Sequence, residues 1–177
     1  EELRRFHNSR SALEVGTAEA YILRKLVQDG VLKSATGYDI SSRRLRRAQQ
    51  RVEREGLAGK INLCLGDGRT LPFRDGAFDV TLLPQILEHV PTRRGVLDLL
   101  VESRRVSQQG LLVSLPLRDS HHPLIRWAKY LDPDHLRGLV LYRNGWMYDS
   151  DKVEGLFREV GFRYERSTQN NEFYKLQ

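Results

Sequence analysis

A chain of 177 residues is long enough for one domain with a proper core, and 40% hydrophobic with 29% charged residues is ordinary for a soluble globular protein. A net charge of +6 and a pI near 9.7 leave nucleic acid, anionic lipid or an acidic substrate as possible partners. No apolar run approaches the ~20 residues that span a bilayer, and the polar opening EELRRFHNSR carries no signal-peptide pattern. A cytoplasmic setting is therefore expected, with room for a further segment ahead of a chain that starts without Met.

Strands and helices are predicted to alternate. Residues 11–15 (SALEV) read as a short buried strand, and 18–29 as a helix with Ile22, Leu23, Leu26 and Val27 on one face and Gly30 as its stop. Residues 34–38 (SATGY) read as a weak strand ending at Asp39. In SSRRLRRAQQRVEREG (41–56), Ser41 or Ser42 caps a basic helix that Gly56 closes. Leu45, Ala48 and Val52 fall on one stripe, so the arginines point outward as a solvated face. No aromatic residues are interleaved there to stack on bases. Residues 61–65 (INLCL) form a third strand, in which the single Cys64 is expected as a buried, reduced thiol. GDG follows. Residues 77–83 (AFDVTLL) form a fourth strand, 92–106 a helix despite Gly95, and 110–115 a fifth strand stopped by Pro116. Residues 150–160 form a helix on Val153, Leu156, Phe157 and Val160, stopped by Gly161, and two short strands flank Asn170-Asn171.

These alternations predict one α/β domain over residues 1–177. Its doubly wound, mostly parallel sheet carries helices on both faces and an antiparallel C-terminal hairpin, seven strands in all. Between the fifth strand and the last helix, residues 117–148 crowd His, Trp, Tyr, Arg, Asp and Pro together, as a lid-like insert does.

Three acids stand at strand ends: Glu14 just before Gly16, Asp39 after the second strand, and Asp67 between two glycines after the third. In a doubly wound sheet such ends line one crevice. One acid alone caps a turn as readily as it binds a ligand, but three in register at successive strand ends point to a ligand. A carboxylate after the second strand can accept from a ribose diol, and one after the third from an exocyclic amine of adenine.

With these motifs in place, the chain resembles class I S-adenosylmethionine-dependent methyltransferases, in the branch that includes the ubiquinone and menaquinone biosynthesis enzymes. The resemblance covers residues 11–177. Glu14-Val15-Gly16-Thr17-Ala18-Glu19-Ala20 is similar to the family's acid-x-Gly-x-Gly-x-Gly turn, with alanine at two glycine positions. GYDIS (37–41), GDGRTLPFRDGAFDVTLLPQILEHV (66–90), GLLVSLP and EVGF (159–162) resemble the family's later motifs, Leu87 to Val90 most specifically. The resemblance implies S-adenosylmethionine as cofactor and S-adenosylhomocysteine as product. It places Gly16, with Thr17 and Ala18, around the methionine part, and Glu14 behind the turn. Asp39 falls to the ribose with Ile40 on the adenine, Asp67 to the adenine amine beside Gly68, and Leu83 and Pro84, running on to Gln85, to the floor near the transferable methyl. An alanine in the turn costs little where φ is negative and roughly 1 kcal/mol or more where φ is positive. The retained acids favour tolerated alanines and a working site.

Alignment of the acceptor with an already activated methyl can supply roughly 7–11 kcal/mol, and a general base about 10²–10⁴-fold. Candidate bases are His89 at the crevice mouth, which serves equally well as a packed residue fixing the helix start, the pair His121-His122, more simply an exposed loop pair, and His135 in LDPDHLRGL, whose resemblance to a recurring segment of this branch implies organising the lid as an alternative to touching the acceptor. Trp127, Tyr130, Tyr142, Trp146 and Tyr148 suit a lid over the acceptor, or simply its core. No metal is expected, because His121, His122 and His135 lack a zinc spacing and one cysteine makes no thiolate cluster. The acceptor is expected to be a small molecule. RNA or protein methylation is the alternative that the charge raises, although LLPQ lacks the Asn/Asp-Pro-Pro-aromatic motif of amino-directed nucleic-acid enzymes. A non-catalytic partner protein is the alternative that Ala18 and Ala20 raise.

Overall fold

Central strands buried on both faces and helices with one apolar stripe assemble the chain around one sheet. The computed structural model describes residues 9–115, 148–166 and 173–177. The strands are β1 (Ser11–Val15), β2 (Ser34–Asp39), β3 (Ile61–Leu65), β4 (Val80–Pro84), β5 (Leu111–Ser114), β6 (Tyr164–Arg166) and β7 (Phe173–Leu176). They lie in the order β3-β2-β1-β4-β5-β7-β6. The first five are parallel, and β7 runs antiparallel to both β5 and β6. This is the doubly wound, mostly parallel sheet with an antiparallel C-terminal hairpin that the sequence predicts. Its strand order reverses between β1 and β4, where a crevice opens at the carboxyl ends.

Among the described residues the α-helices are α1 (Tyr21–Gln28), α2 (Ser42–Arg54), α3 (Arg93–Val106) and α4 (Ser150–Glu159). The twofold period of the strands sorts them onto two faces. Ala12 and Leu82 pack with Leu23 and Val27 of α1 and with Ala48 and Val52 of α2. Leu13, Leu83 and Val113 pack with Leu99 and Leu100 of α3 and with Leu156 and Phe157 of α4. On α2 the stripe Leu45, Ala48 and Val52 is buried, as its spacing dictates. The Ser41 hydroxyl caps it by accepting from Arg44 N–H at 3.3 Å, while Arg47 and Arg51 reach Glu19 at 3.3 and 2.8 Å.

Three local expectations are corrected. The first helix begins at Tyr21 rather than residue 18, because Ala18 and Ala20 adopt left-handed backbone. The fourth strand begins at Val80 rather than residue 77. The Asp79 carboxylate there accepts from the N–H groups of Arg10 and Ser11 at 2.6 and 2.8 Å, which fastens the entry to β1 in place of a ladder. Cys64 is a free, half-buried thiol rather than a buried one, since β3 is a sheet edge.

The loop after β3 is held by Arg105 of α3. Its guanidinium donates to the carbonyls of Leu71 and Phe73 at 2.9 and 2.8 Å and pairs with Glu102 and Asp75. Glu102 in turn accepts from Leu71 N–H at 2.9 Å. Arg105→Ala leaves two loop carbonyls and Glu102 without their partner. It is expected to cost about 2 kcal/mol of stability, read as a lower midpoint in denaturant unfolding.

Candidate active site

A cleft of about 450 Å³ opens at the switch point. Its walls are the turn after β1 (Gly16, Ala18), the end of β2 (Asp39, Ile40), the turn after β3 (Gly66 to Arg69), the segment after β4 (Pro84 to Ile86, His89 to Pro91), and Arg44 of α2.

Asp39 organises the first two walls. It is 5% exposed, and its Oδ2 accepts from Ala18 N–H and its Oδ1 from Ser41 N–H, both at 2.8 Å. Tyr38 carbonyl accepts from Gly16 and Thr17 N–H at 2.8 and 3.2 Å. The turn after β1 is thus laced to the end of β2. Gly16 sits at φ +78°, which favours glycine, and a Cβ there would lie 2.7 Å from Ile86 Cδ1, so the end of that side chain would have to move aside. A Cβ on Gly68 would strike Val15 and Leu99. Ile40, 73% exposed, presents a bare apolar side chain beside Asp39.

Glu14 lies beneath the turn, 2% exposed. Burial pushes its carboxyl up to about 7; the Thr17 hydroxyl, donating at 2.5 Å, opposes the rise and nearby Asp39 adds to it. In the segment after β4, partial desolvation and the charge of Arg44 hold the imidazole of the largely exposed His89 below its ordinary value. Asp67 is gripped by Arg69, whose hydrogen bonds hold the carboxyl below the usual range.

Ala18 and Ala20 stand at φ +50° and +55°. The expectation of tolerated alanines meets a cost here, since left-handed backbone costs an L-residue roughly 1–2 kcal/mol. Ala18→Gly relieves that strain against about 0.4–1 kcal/mol of added unfolded-chain entropy. A gain of about 0.5–1 kcal/mol in denaturant unfolding is expected. At Ala20 the methyl is fully buried in the core, so the same change brings no net gain.

Of the residues expected at the site, Gly16, Ala18, Asp39, Ile40, Asp67, Gly68, Pro84 and His89 line the cleft. Glu14 and Thr17 sit behind its wall, and Leu83 is wholly buried in the core instead of forming the floor. His121, His122, His135, Trp127, Tyr130, Tyr142, Trp146 and most of the 117–148 insert lie outside the described residues; Tyr148 is half-buried against the core. Arg44 and Arg69 line the cleft without having been expected there. Arg69 had a signal, standing two residues after the acid it clamps, whereas Arg44 is indistinguishable in sequence from the other arginines of α2. Among the described residues no group of three His, Cys, Asp or Glu side chains is placed to hold a metal, and no helix is long and apolar enough to cross a membrane.

Carboxylates at the ends of β2 and β3, a glycine-lined approach and an apolar plate at Ile40 suit the ribose, adenine and amino-acid parts of S-adenosylmethionine. The fold and site together define a Rossmann-like methyltransferase. A family model described as a methyltransferase domain matches residues 13–114, and the chain belongs to that family, the class I S-adenosylmethionine-dependent methyltransferases. The chain is 33% identical over 97 residues to demethylmenaquinone methyltransferase of Lactiplantibacillus plantarum, covering 53% of this chain and 40% of that protein. It is 30% identical over 103 residues to norajmaline N-methyltransferase of Rauvolfia serpentina, covering 58% of this chain and 34% of that protein. The matched region thus spans less than half the length of these relatives. A solved S-adenosylmethionine-dependent methyltransferase of Methanosarcina mazei superposes with a TM-score of 0.74 at 18% identity, over 99% of this chain and 94% of that one.

Proposed function

We propose that the chain transfers a methyl group from S-adenosylmethionine to a small-molecule acceptor. The observation that carries this reading is the set of strand-end carboxylates Asp39 and Asp67 facing one cleft at the switch point of a methyltransferase-family sheet. The two curated relatives support the acceptor class, since their names specify norajmaline and demethylmenaquinone. A cytoplasmic setting belongs to the same reading.

When bound, the cofactor supplies a methyl already activated on a sulfonium. The chain's own residues bind and orient. Asp39 accepts from the ribose hydroxyls with the lone pairs left by Ala18 and Ser41, and Ile40 covers the adenine. Asp67 accepts from the adenine amine, and the Gly16 turn admits the methionine part. Glu14 fixes the turn through Thr17. His89, which lines the cleft and is held below its ordinary value, takes a proton from an acceptor that must lose one.

Calorimetric titration with S-adenosylmethionine and S-adenosylhomocysteine tests the cofactor half. Micromolar binding of both is expected; no binding by the folded chain would leave a non-catalytic partner protein. Methyl transfer to pools of small amines, phenols and quinols, compared with transfer to RNA, tests the acceptor half. The exposed Arg43 and Arg46 on α2 are what an RNA substrate would exploit. Activity confined to RNA and lost in moderate salt would overturn the small-molecule reading.

A further inference from the structure

Asp67 is held from one side by a single residue. Arg69 donates its backbone N–H to Oδ1 at 3.0 Å, its Nε–H to both carboxylate oxygens at 3.0 Å, and a terminal N–H to Oδ2 at 2.5 Å. Those are four contacts from three hydrogens, two on each oxygen, and because the Nε hydrogen is split between the two oxygens it fills neither acceptor site fully; with the side chain 39% exposed, the carboxylate stays open to a further donor from the cleft. The fork fixes the plane of the carboxylate as well as its charge. The backbone beneath is fixed too, because Gly66 is pressed on Tyr38 and Gly68 on Val15 and Leu99. Fold stability does not account for the clamp. The two side chains are 47% and 39% exposed, and an ion pair so placed contributes little. Both residues line the cleft.

We propose that Arg69 is a positioning residue that locks Asp67 as an acceptor-only group, making the site select a purine with a 6-amino group over one with a 6-oxo group. The inference rests on the reading of Asp67 as the adenine partner. A fixed, ionised carboxylate accepts an amino N–H, whereas against a 6-oxo group it sets lone pair against lone pair. Arg69 also favours the ionised form, which keeps Asp67 from donating. Released from the fork, the carboxylate turns freely, and part of its discrimination is lost as entropy on binding.

The test is calorimetric binding of S-adenosylhomocysteine and of S-inosylhomocysteine, which differ in the 6-substituent and in the N1 hydrogen that accompanies the 6-oxo form, to the wild-type chain and to Arg69→Ala, Arg69→Lys and Asp67→Asn, the last variant separating what Asp67 reads from what N1 contributes. The wild type is expected to prefer the adenosyl ligand by about tenfold or more, as one charged hydrogen bond gained or lost dictates. Arg69→Ala is expected to narrow that ratio several-fold with an unchanged unfolding midpoint, chiefly by weakening the adenosyl ligand. Arg69→Lys, which keeps the charge and loses the fork, is expected to fall between. An unchanged ratio in Arg69→Ala, or equal weakening of both ligands, overturns the proposal while Asp67 keeps its role. No preference in the wild type, or an unchanged preference in Asp67→Asn, overturns the adenine reading of Asp67 itself, and the proposal with it.

Discussion

Asp39→Ala is expected to reduce binding of S-adenosylmethionine by at least ~100-fold. Two effects act together. The substitution removes the carboxylate that takes the ribose hydroxyls, where hydrogen bonds to a charged group each contribute about 1.5–3 kcal/mol, and each 1.4 kcal/mol is about tenfold in affinity. It also unfastens the turn after β1, because Ala18 and Ser41 N–H lose their acceptor. A stability loss of about 2 kcal/mol should accompany it. Asp39→Asn separates the two, since an amide oxygen still accepts one of the turn's N–H groups. Measured by calorimetry on folded protein, wild-type affinity in either variant would place the ribose contact elsewhere.

Glu14→Gln is expected to stabilise the protein at pH 8 and to do nothing at pH 4. In the folded chain the carboxyl sits at about 7 against an ordinary 4.5, because burial disfavours the charge. The folded state therefore binds the proton more tightly than the unfolded state does. Stability is greatest below about pH 4.5, declines as pH rises to about 7 and is level above that. The full loss corresponds to about 3 kcal/mol. Glutamine keeps an acceptor for the Thr17 hydroxyl and has no charge to bury. Denaturant unfolding of both proteins from pH 4 to 8 checks this: the curves should meet at the acid end and diverge through pH 5–7. Parallel curves would mean that Glu14 carries its charge without penalty.

The strands were legible as short, mostly apolar segments between turn and helix signals, and the cleft acids because each stands at or just past the end of one. Asp39 and Asp67 could be found from order alone. Leu83 could not be separated from Pro84 in sequence, since their opposite fates depend on which face of β4 each presents. Ala18 and Ala20 look like helix formers, yet tertiary hydrogen bonds from the turn to Tyr38 and Asp39 override that propensity and delay α1 to Tyr21. Arg44 was hidden among like residues. Only its place in the first turn of α2, where it lines the cleft, distinguishes it.

The place of β7 governs how the chain reaches this state during synthesis. The strand translated after β6 lies inside it, between β5 and β6. The five parallel strands have partners as soon as β5 leaves the ribosome, but the outer flank of β5 then presents unpaired amide and carbonyl groups. Tyr164–Arg166 has nothing to pair with until Phe173–Leu176 arrives to bridge them. Until then the nascent chain carries an open, aggregation-prone border that β7 seals. A chain cut short before residue 173 would keep that border open, with β5 and β6 both unpaired on the flanks that β7 joins.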